Sequence, residues 1–215
     1  EISLWYQGYL RDRAGLYGFA GDRRMEQHTH LYWSRGMISF KQDSGKQFRV
    51  AIEAGSSSTP DRLNAYRLGG QLPFASEFPL SLPGYFNGEL TARRYALVGG
   101  DYMVPLDKAK LWAARVFVNA ANVSYLQGMG QPRPWNESIG TGFDFMSKGG
   151  ALRIEVKYGY GINAMRGSGR GAHSASILTQ IDFIAWRRKV TKDPKPGPVP
   201  ERSEGLYWLM RMFRP

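Results

Sequence analysis

Apolar and polar positions alternate with period two along much of the chain, most clearly over residues 151–163. There Leu152, Ile154, Val156, Tyr158, Tyr160 and Ile162 fall on one face, while Arg153, Glu155, Lys157, Gly159, Gly161 and Asn163 fall on the other. This apolar face runs for about 11 residues without a break, longer than most strands of soluble sheets, and its tyrosines cluster near one end. A lipid-facing strand with an aromatic girdle has this form. Phe48, Val50, Ile52 and Ala54 alternate in the same way with Arg49, Ala51, Glu53 and Gly55, and Trp112, Ala114, Val116, Val118 and Ala120 with Ala113, Arg115, Phe117 and Asn119. A weaker alternation sets Ala175, Ile177, Thr179, Ile181 and Phe183 against Ser174, Ser176, Leu178, Gln180 and Asp182.

Adding residues 2–11, 32–42, 94–106 and 135–147 predicts about eight antiparallel strands and no amphipathic helix of useful length. Tight turns are expected at residues 43–46, 107–110 and 148–150, and long connections at 58–92, 127–134 and 164–173. Short turns at one end and long loops at the other is the asymmetry of outer-membrane barrels. The predicted fold is therefore all-β, an antiparallel transmembrane β-barrel segment over residues 1–187 with one long inserted loop. Residues 188–204 read as a basic, Pro-rich linker, and 205–215 as an apolar C-terminal segment.

The wider composition narrows this without deciding it. No stretch approaches the roughly 18 to 20 consecutive apolar residues of a membrane-spanning helix. The chain has no cysteine, so disulfides and thiolate metal sites are excluded. Glu1-Ile2-Ser3-Leu4-Trp5 lacks the basic and apolar regions of a secretory signal, so a secreted chain would be numbered from a mature or truncated start. A formal net charge of +11 suits acidic partners, among them anionic lipid. The basic, aromatic tail lacks a stacking platform on a compact basic fold, which argues against nucleic acid, and Lys and Arg beside Trp and Tyr fit a membrane interface.

Within the long loop stand Leu68-Gly69-Gly70, Leu72-Pro73-Phe74, Glu77-Phe78-Pro79-Leu80, Leu82-Pro83-Gly84-Tyr85, Gly88-Glu89 and Ala92, before a strand ending Asp101-Tyr102-Met103-Val104-Pro105-Leu106. This order resembles the C-terminal part of the BamA/TpsB superfamily, the bacterial surface antigen barrels. There a Gly-Gly … Arg-Gly-Phe/Tyr … Gly-Glu loop folds back into the lumen and precedes a strand ending Glu-Tyr-Arg-Pro-Leu. The family places five strands between this loop and a C-terminal aromatic, and five are predicted here, closing on Phe183. The resemblance covers residues of about 28 to 183 and implies the C-terminal half of a 16-stranded barrel in a Gram-negative-type outer membrane. It implies insertion of outer-membrane proteins or translocation of polypeptides, with lipids, client polypeptides or other envelope subunits as partners, and no cofactor.

It marks Gly69, Gly70, Pro83, Gly84, Tyr85, Gly88 and Glu89 as the loop motif. Pro83 stands where the family has arginine, so the usual ion pair between loop tip and an acidic strand residue is not available. Val104 replaces a second family arginine, and the chain continues beyond Phe183 where family members generally stop. Inward-facing Arg49, Glu53, Arg115, Arg153, Glu155 and Lys157 are expected to face the lumen, either pairing across strands or lining a translocation path.

Other chemistry reads weakly. His28 and His30 have ligand-like spacing but no carboxylate cluster, and no metal site is expected. Ser56-Ser57-Ser58, His173 and Asp182 supply triad residue types without a nucleophile elbow, so no enzyme activity is predicted. Alternatives are an accessory barrel subunit without assembly activity, a lipid-modifying barrel enzyme, or a soluble ligand-binding barrel. Were eight strands to close alone, side chains would fill the lumen and the long loop would sit outside.

Overall fold

The computed structural model describes residues 1–19, 23–70, 80–167 and 169–190. Eight long strands follow one another as an antiparallel meander: β1 (Ile2–Leu10), β4 (His28–Lys41), β5 (Gln47–Ser57), β7 (Leu90–Pro105), β8 (Trp112–Tyr125), β9 (Trp135–Met146), β10 (Leu152–Arg166) and β11 (Gly169–Ile181). A ninth, β6 (Tyr66–Leu68), pairs with the start of β7, while β2 (Gly15–Tyr17) and β3 (Arg23–Met25) form a separate hairpin. Several of the long strands exceed the roughly 9 to 11 residues that a tilted strand needs to cross a bilayer.

The sheet is open. β1 pairs only with β4 and β11 only with β10, so among the described residues the strands expected of a barrel segment form a nine-stranded antiparallel sheet that is not closed into a barrel. The reason lies on its inner face, which carries β6 and residues 80–89; an eight-stranded barrel has no room for such an insertion. The described residues of the loop thus lie against the inner face of the sheet, packed on β7, β8 and β10.

Turn chemistry explains the short connections. Asp107 accepts a hydrogen bond from the Trp112 backbone N–H at 2.8 Å, and Ser147 accepts one through its hydroxyl from the Leu152 N–H at 2.9 Å. Side chains that satisfy backbone donors in this way hold the chain in a turn. At the opposite end the structure departs from expectation: β10 and β11 run on to Arg166 and from Gly169, so the long connection predicted at 164–173 is a short hairpin. The register shifts between Gly161 and Met165, and that irregularity hid the strand continuation from a strict period of two.

The last strand also ends sooner than predicted. It stops at Ile181, and Phe183 opens helix α1 (Phe183–Val190) instead of closing a strand. The Asp182 carboxylate caps it, accepting from the N–H groups of Ile184 and Ala185, both at 2.9 Å. The helix runs across the boundary expected between residues 187 and 188; the linker from 191 and the segment 205–215 lie outside the described residues.

The registers give the sheet two unlike faces. On the outer face Ile38, Val50, Ile52, Val98, Val116, Val118, Ile139, Val156 and Ile177 form a middle band, with Val116 54% and Ile177 70% exposed. Phe40, Phe48, Tyr102, Trp112 and Phe145 lie toward the short turns, and Tyr6, Tyr32, Trp135 and Tyr160 toward the long connections. Between the rim residues Arg94 and Glu137 and the short turns, the outer strand positions carry no Asp, Glu, Lys or Arg.

Candidate functional site

The inner face holds an ion-pair ladder. Its signs alternate strand by strand: Arg49 on β5, Asp101 on β7, Arg115 on β8, Asp144 on β9 and Arg153 on β10. Arg115 lies between the two aspartates at 3.2 and 3.1 Å, and Arg49 reaches Asp101 at 4.0 Å. Arg153 bridges Asp144 at 3.5 Å and Glu155 at 2.7 Å, and Lys157 pairs with Glu155. Nearer the β1 edge Arg35 pairs with Glu53 at 3.2 Å. All six sequence-predicted charges thus lie on one face and pair across or along strands. Arg35, Asp101 and Asp144 were missed, although each occupies an inner position of the same alternation. Arg115 is only 4% exposed, and removing its partners would leave an uncompensated buried charge.

Above this ladder, toward the long connections, lies an apolar seat for the loop. Leu68, Leu80, Leu82, Tyr85 and Leu90 pack with Tyr66, Tyr95, Leu97, Ala121 and Val123 in one buried cluster. The Tyr66 ring lies against Gly55 and meets Tyr95 edge-on, with centroids 5.0 Å apart. Its hydroxyl donates toward the carbonyls of Tyr32 and Ser56 at 2.9 and 3.0 Å, and burial pushes its pKa up to about 12.

The loop motif residues converge at the tip of this seat. Gly69 and Gly84 adopt φ of 127° and 87°, a region that L side chains seldom enter. A Cβ on Gly69 would stand 2.2 Å from the Phe86 carbonyl oxygen, and one on Gly84 1.9 Å from the Gly161 nitrogen. The loop backbone therefore rests directly on β10. Gly84 N–H donates to the Ser174 hydroxyl on β11 at 2.7 Å, Gly70 N–H to the Tyr85 carbonyl at 3.1 Å, and Pro83 is buried beside them. Tyr85 is 2% exposed, its ring covering Gly161, and burial pushes its phenol above the ordinary range against the opposing Asn163 backbone. Gly88 precedes Glu89 at a turn closed by a Glu89 N–H bond to the Phe86 carbonyl at 3.1 Å.

Glu89 fixes the tip. Its carboxylate takes a two-pronged pair from Arg166 on β10, at 2.8 and 3.0 Å, and also accepts from the Phe86 N–H at 2.7 Å. The same guanidinium lies 4.1 Å from the Phe86 ring centroid and donates to the Gly84 carbonyl at 3.3 Å. Fork-to-fork pairing and a cation over an aromatic face both favour arginine over lysine here. The loop is therefore docked by an ion pair with the carboxylate on the loop and the guanidinium on the strand. Residues 71–79, with Leu72-Pro73-Phe74 and Glu77-Phe78-Pro79, lie outside the described residues.

The remaining sequence candidates are not brought together. Ser57 donates its hydroxyl proton to the Arg93 carbonyl, Ser58 accepts from the His30 N–H, and Asp182 caps α1. His173 sits against Tyr158 on the outer face, with Asp182 about 30 Å away along β11 at the usual rise per residue. His30 lies 2.9 Å from the Tyr6 hydroxyl, and no group of three or more potential metal ligands occurs among the described residues. No family model, curated protein or solved structure matches the chain.

Proposed function

We propose that this chain is part of an outer-membrane β-barrel similar to the BamA/TpsB superfamily, acting without catalysis in the insertion of outer-membrane proteins or the translocation of polypeptides. The observation that carries the reading is the docked loop: a glycine-rich segment lies on the inner face of an open antiparallel sheet and is tied by Glu89 to Arg166. A polar, ion-paired inner face opposite an apolar outer band between two aromatic rows supports the membrane part of it. In water that band would be a contiguous exposed apolar surface, which soluble domains seldom leave uncovered. The open edges at β1 and β11 supply unpaired backbone groups of the kind that recruit another strand.

The chain thus contributes half of a larger barrel, completed by further strands, and the loop seat holds the inner wall in register. An accessory subunit without assembly activity shares this architecture and differs only in lacking client turnover. Gel migration with and without boiling, on protein purified in detergent, followed by folding of a client barrel into vesicles that contain the protein, tests both parts. A boiling-dependent shift together with faster client folding is expected. A shift without acceleration would favour the accessory role, and a non-shifting, detergent-free protein would overturn the membrane reading.

A further inference from the structure

A second site lies at the rim, outside the loop seat. A cleft of about 150 Å³ opens between the β8–β9 connection and the β10–β11 hairpin, lined by Gln131, Arg133, Asn136, Asn163, Met165 and Arg170. Most arginines of the inner face are paired with carboxylates, as Arg35, Arg49, Arg115, Arg153 and Arg166 are. Arg133 and Arg170 differ: neither has an ion-pair partner among the described residues, and no carboxylate lines the cleft. The nearest acid along the strand, Glu137, is taken up by the Asn163 amide. Asn136 in turn is fixed by donating to the Tyr125 hydroxyl and the Pro134 carbonyl, so the wall is held in shape before any ligand arrives.

We infer that this cleft, with Arg133 and Arg170 as its two guanidinium arms, binds the phosphate monoester headgroup of an anionic lipid. Two planar forks carrying two positive charges match a group of charge near −1.5 to −2 with three acceptor oxygens. A single carboxylate would leave one arm unused. The lipid source rests on the membrane reading above: Arg133 stands two residues before Trp135 of the outer aromatic row, on the side of the long connections, which places the cleft at the end of the apolar band, at headgroup depth. Met165 offers an apolar side to the same cleft for the neighbouring glycerol or acyl carbon.

Calorimetric titration of the full chain in neutral detergent micelles tests the site, using phosphatidic acid, phosphatidylcholine and inorganic phosphate as separate probes. Saturable binding of phosphatidic acid is expected, competed by inorganic phosphate and absent for phosphatidylcholine. Arg133→Gln with Arg170→Gln should weaken it by about tenfold or more, as loss of charge-assisted hydrogen bonds does, whereas Arg94→Gln, at the same rim but outside the cleft, should change it less than about twofold. Unchanged affinity in the double variant, or lipid binding that phosphate does not compete, would overturn the proposal. Boiling-dependent migration measured on the same samples separates the two ideas: arginine-dependent phosphate binding by a non-shifting protein would sustain the cleft and remove the membrane.

Discussion

The outer and inner faces of the same strands are built on opposite principles. Outward positions mostly repeat one idea, an apolar side chain every second residue, and specific polar partners are confined to places such as Tyr6 with His30 and Tyr158 with His173. Inward positions are specific: each charge of the ladder needs the opposite sign on the next strand, and the loop needs bare backbone at Gly161 to rest on. A face that meets a uniform medium tolerates exchange among apolar residues, while a face that meets its own protein does not. Arg115 and Val116 are adjacent on β8 and belong to these two regimes.

Breaking each regime at these neighbours should give the largest effects. Arg115→Met leaves Asp101 and Asp144 buried without the guanidinium between them, and a loss of about 3–5 kcal/mol is expected. Val116→Arg places a charge within the outer band, and about 2–4 kcal/mol is expected if that band lies in hydrocarbon. Urea unfolding from lipid vesicles and from detergent separates the two. The Met variant should be destabilised in both, and the Arg variant mainly in vesicles. Equal sensitivity of Val116→Arg in the two media would sink the lipid-facing assignment of the outer face.

That contrast also governs how much was legible in the sequence. Leu152 to Ile162 announce their face by periodicity alone, and the same parity that marked Arg49, Arg115 and Glu155 as inward also applied to Asp101 and Asp144. Where the backbone leaves strict alternation, the reading failed: the shift between Gly161 and Met165 turned a continuous strand into an apparent loop and hid Arg166. Without Arg166, the acid at Glu89 had no visible partner, and loop docking could not be derived from Pro83. The strand end at Ile181 was missed for a different reason, since Phe183 continues the period of two and only the capping by Asp182 shows that the chain has turned helical. Openness of the sheet is likewise a tertiary fact, set by what occupies the inner face and written in no single strand.

The ion pair between loop and strand offers a smaller and sharper test. Glu89→Gln keeps the hydrogen bond to the Phe86 N–H within reach but removes the charge, and should weaken docking of the loop by about 1–2 kcal/mol, as for a partly buried charged hydrogen bond. Arg166→Lys should cost a similar amount, because lysine cannot form the fork or stack on Phe86. The readout is proteolytic cleavage within residues 58–65 under native conditions, which rises as the loop lifts. Losses that add fully in the double variant would mean the two side chains do not act as a pair.

The smallest effect is expected where docking depends on a neutral phenol. Burial raises the Tyr66 pKa from the ordinary 10.0 to about 12 in the docked loop, and undocking returns it toward the lower value. A group whose folded pKa is raised contributes its stabilisation fully below its unfolded pKa and loses it as pH climbs through the folded one. Docking should therefore be constant below pH of about 10 and weaken between about 10 and 12, on the order of 1 kcal/mol after allowance for partial solvent access. Tyr66→Phe removes this titrating group and the hydrogen bonds to the Tyr32 and Ser56 carbonyls together, so it should start weaker by about 1 kcal/mol and show a shallower slope, the remainder coming from Tyr85, whose phenol is also pushed up by burial in the same seat. Alkaline titration of cleavage within residues 58–65, run on both proteins, checks this. An undiminished slope in the Phe variant would assign the pH response to another group and leave Tyr66 as packing against Gly55 alone.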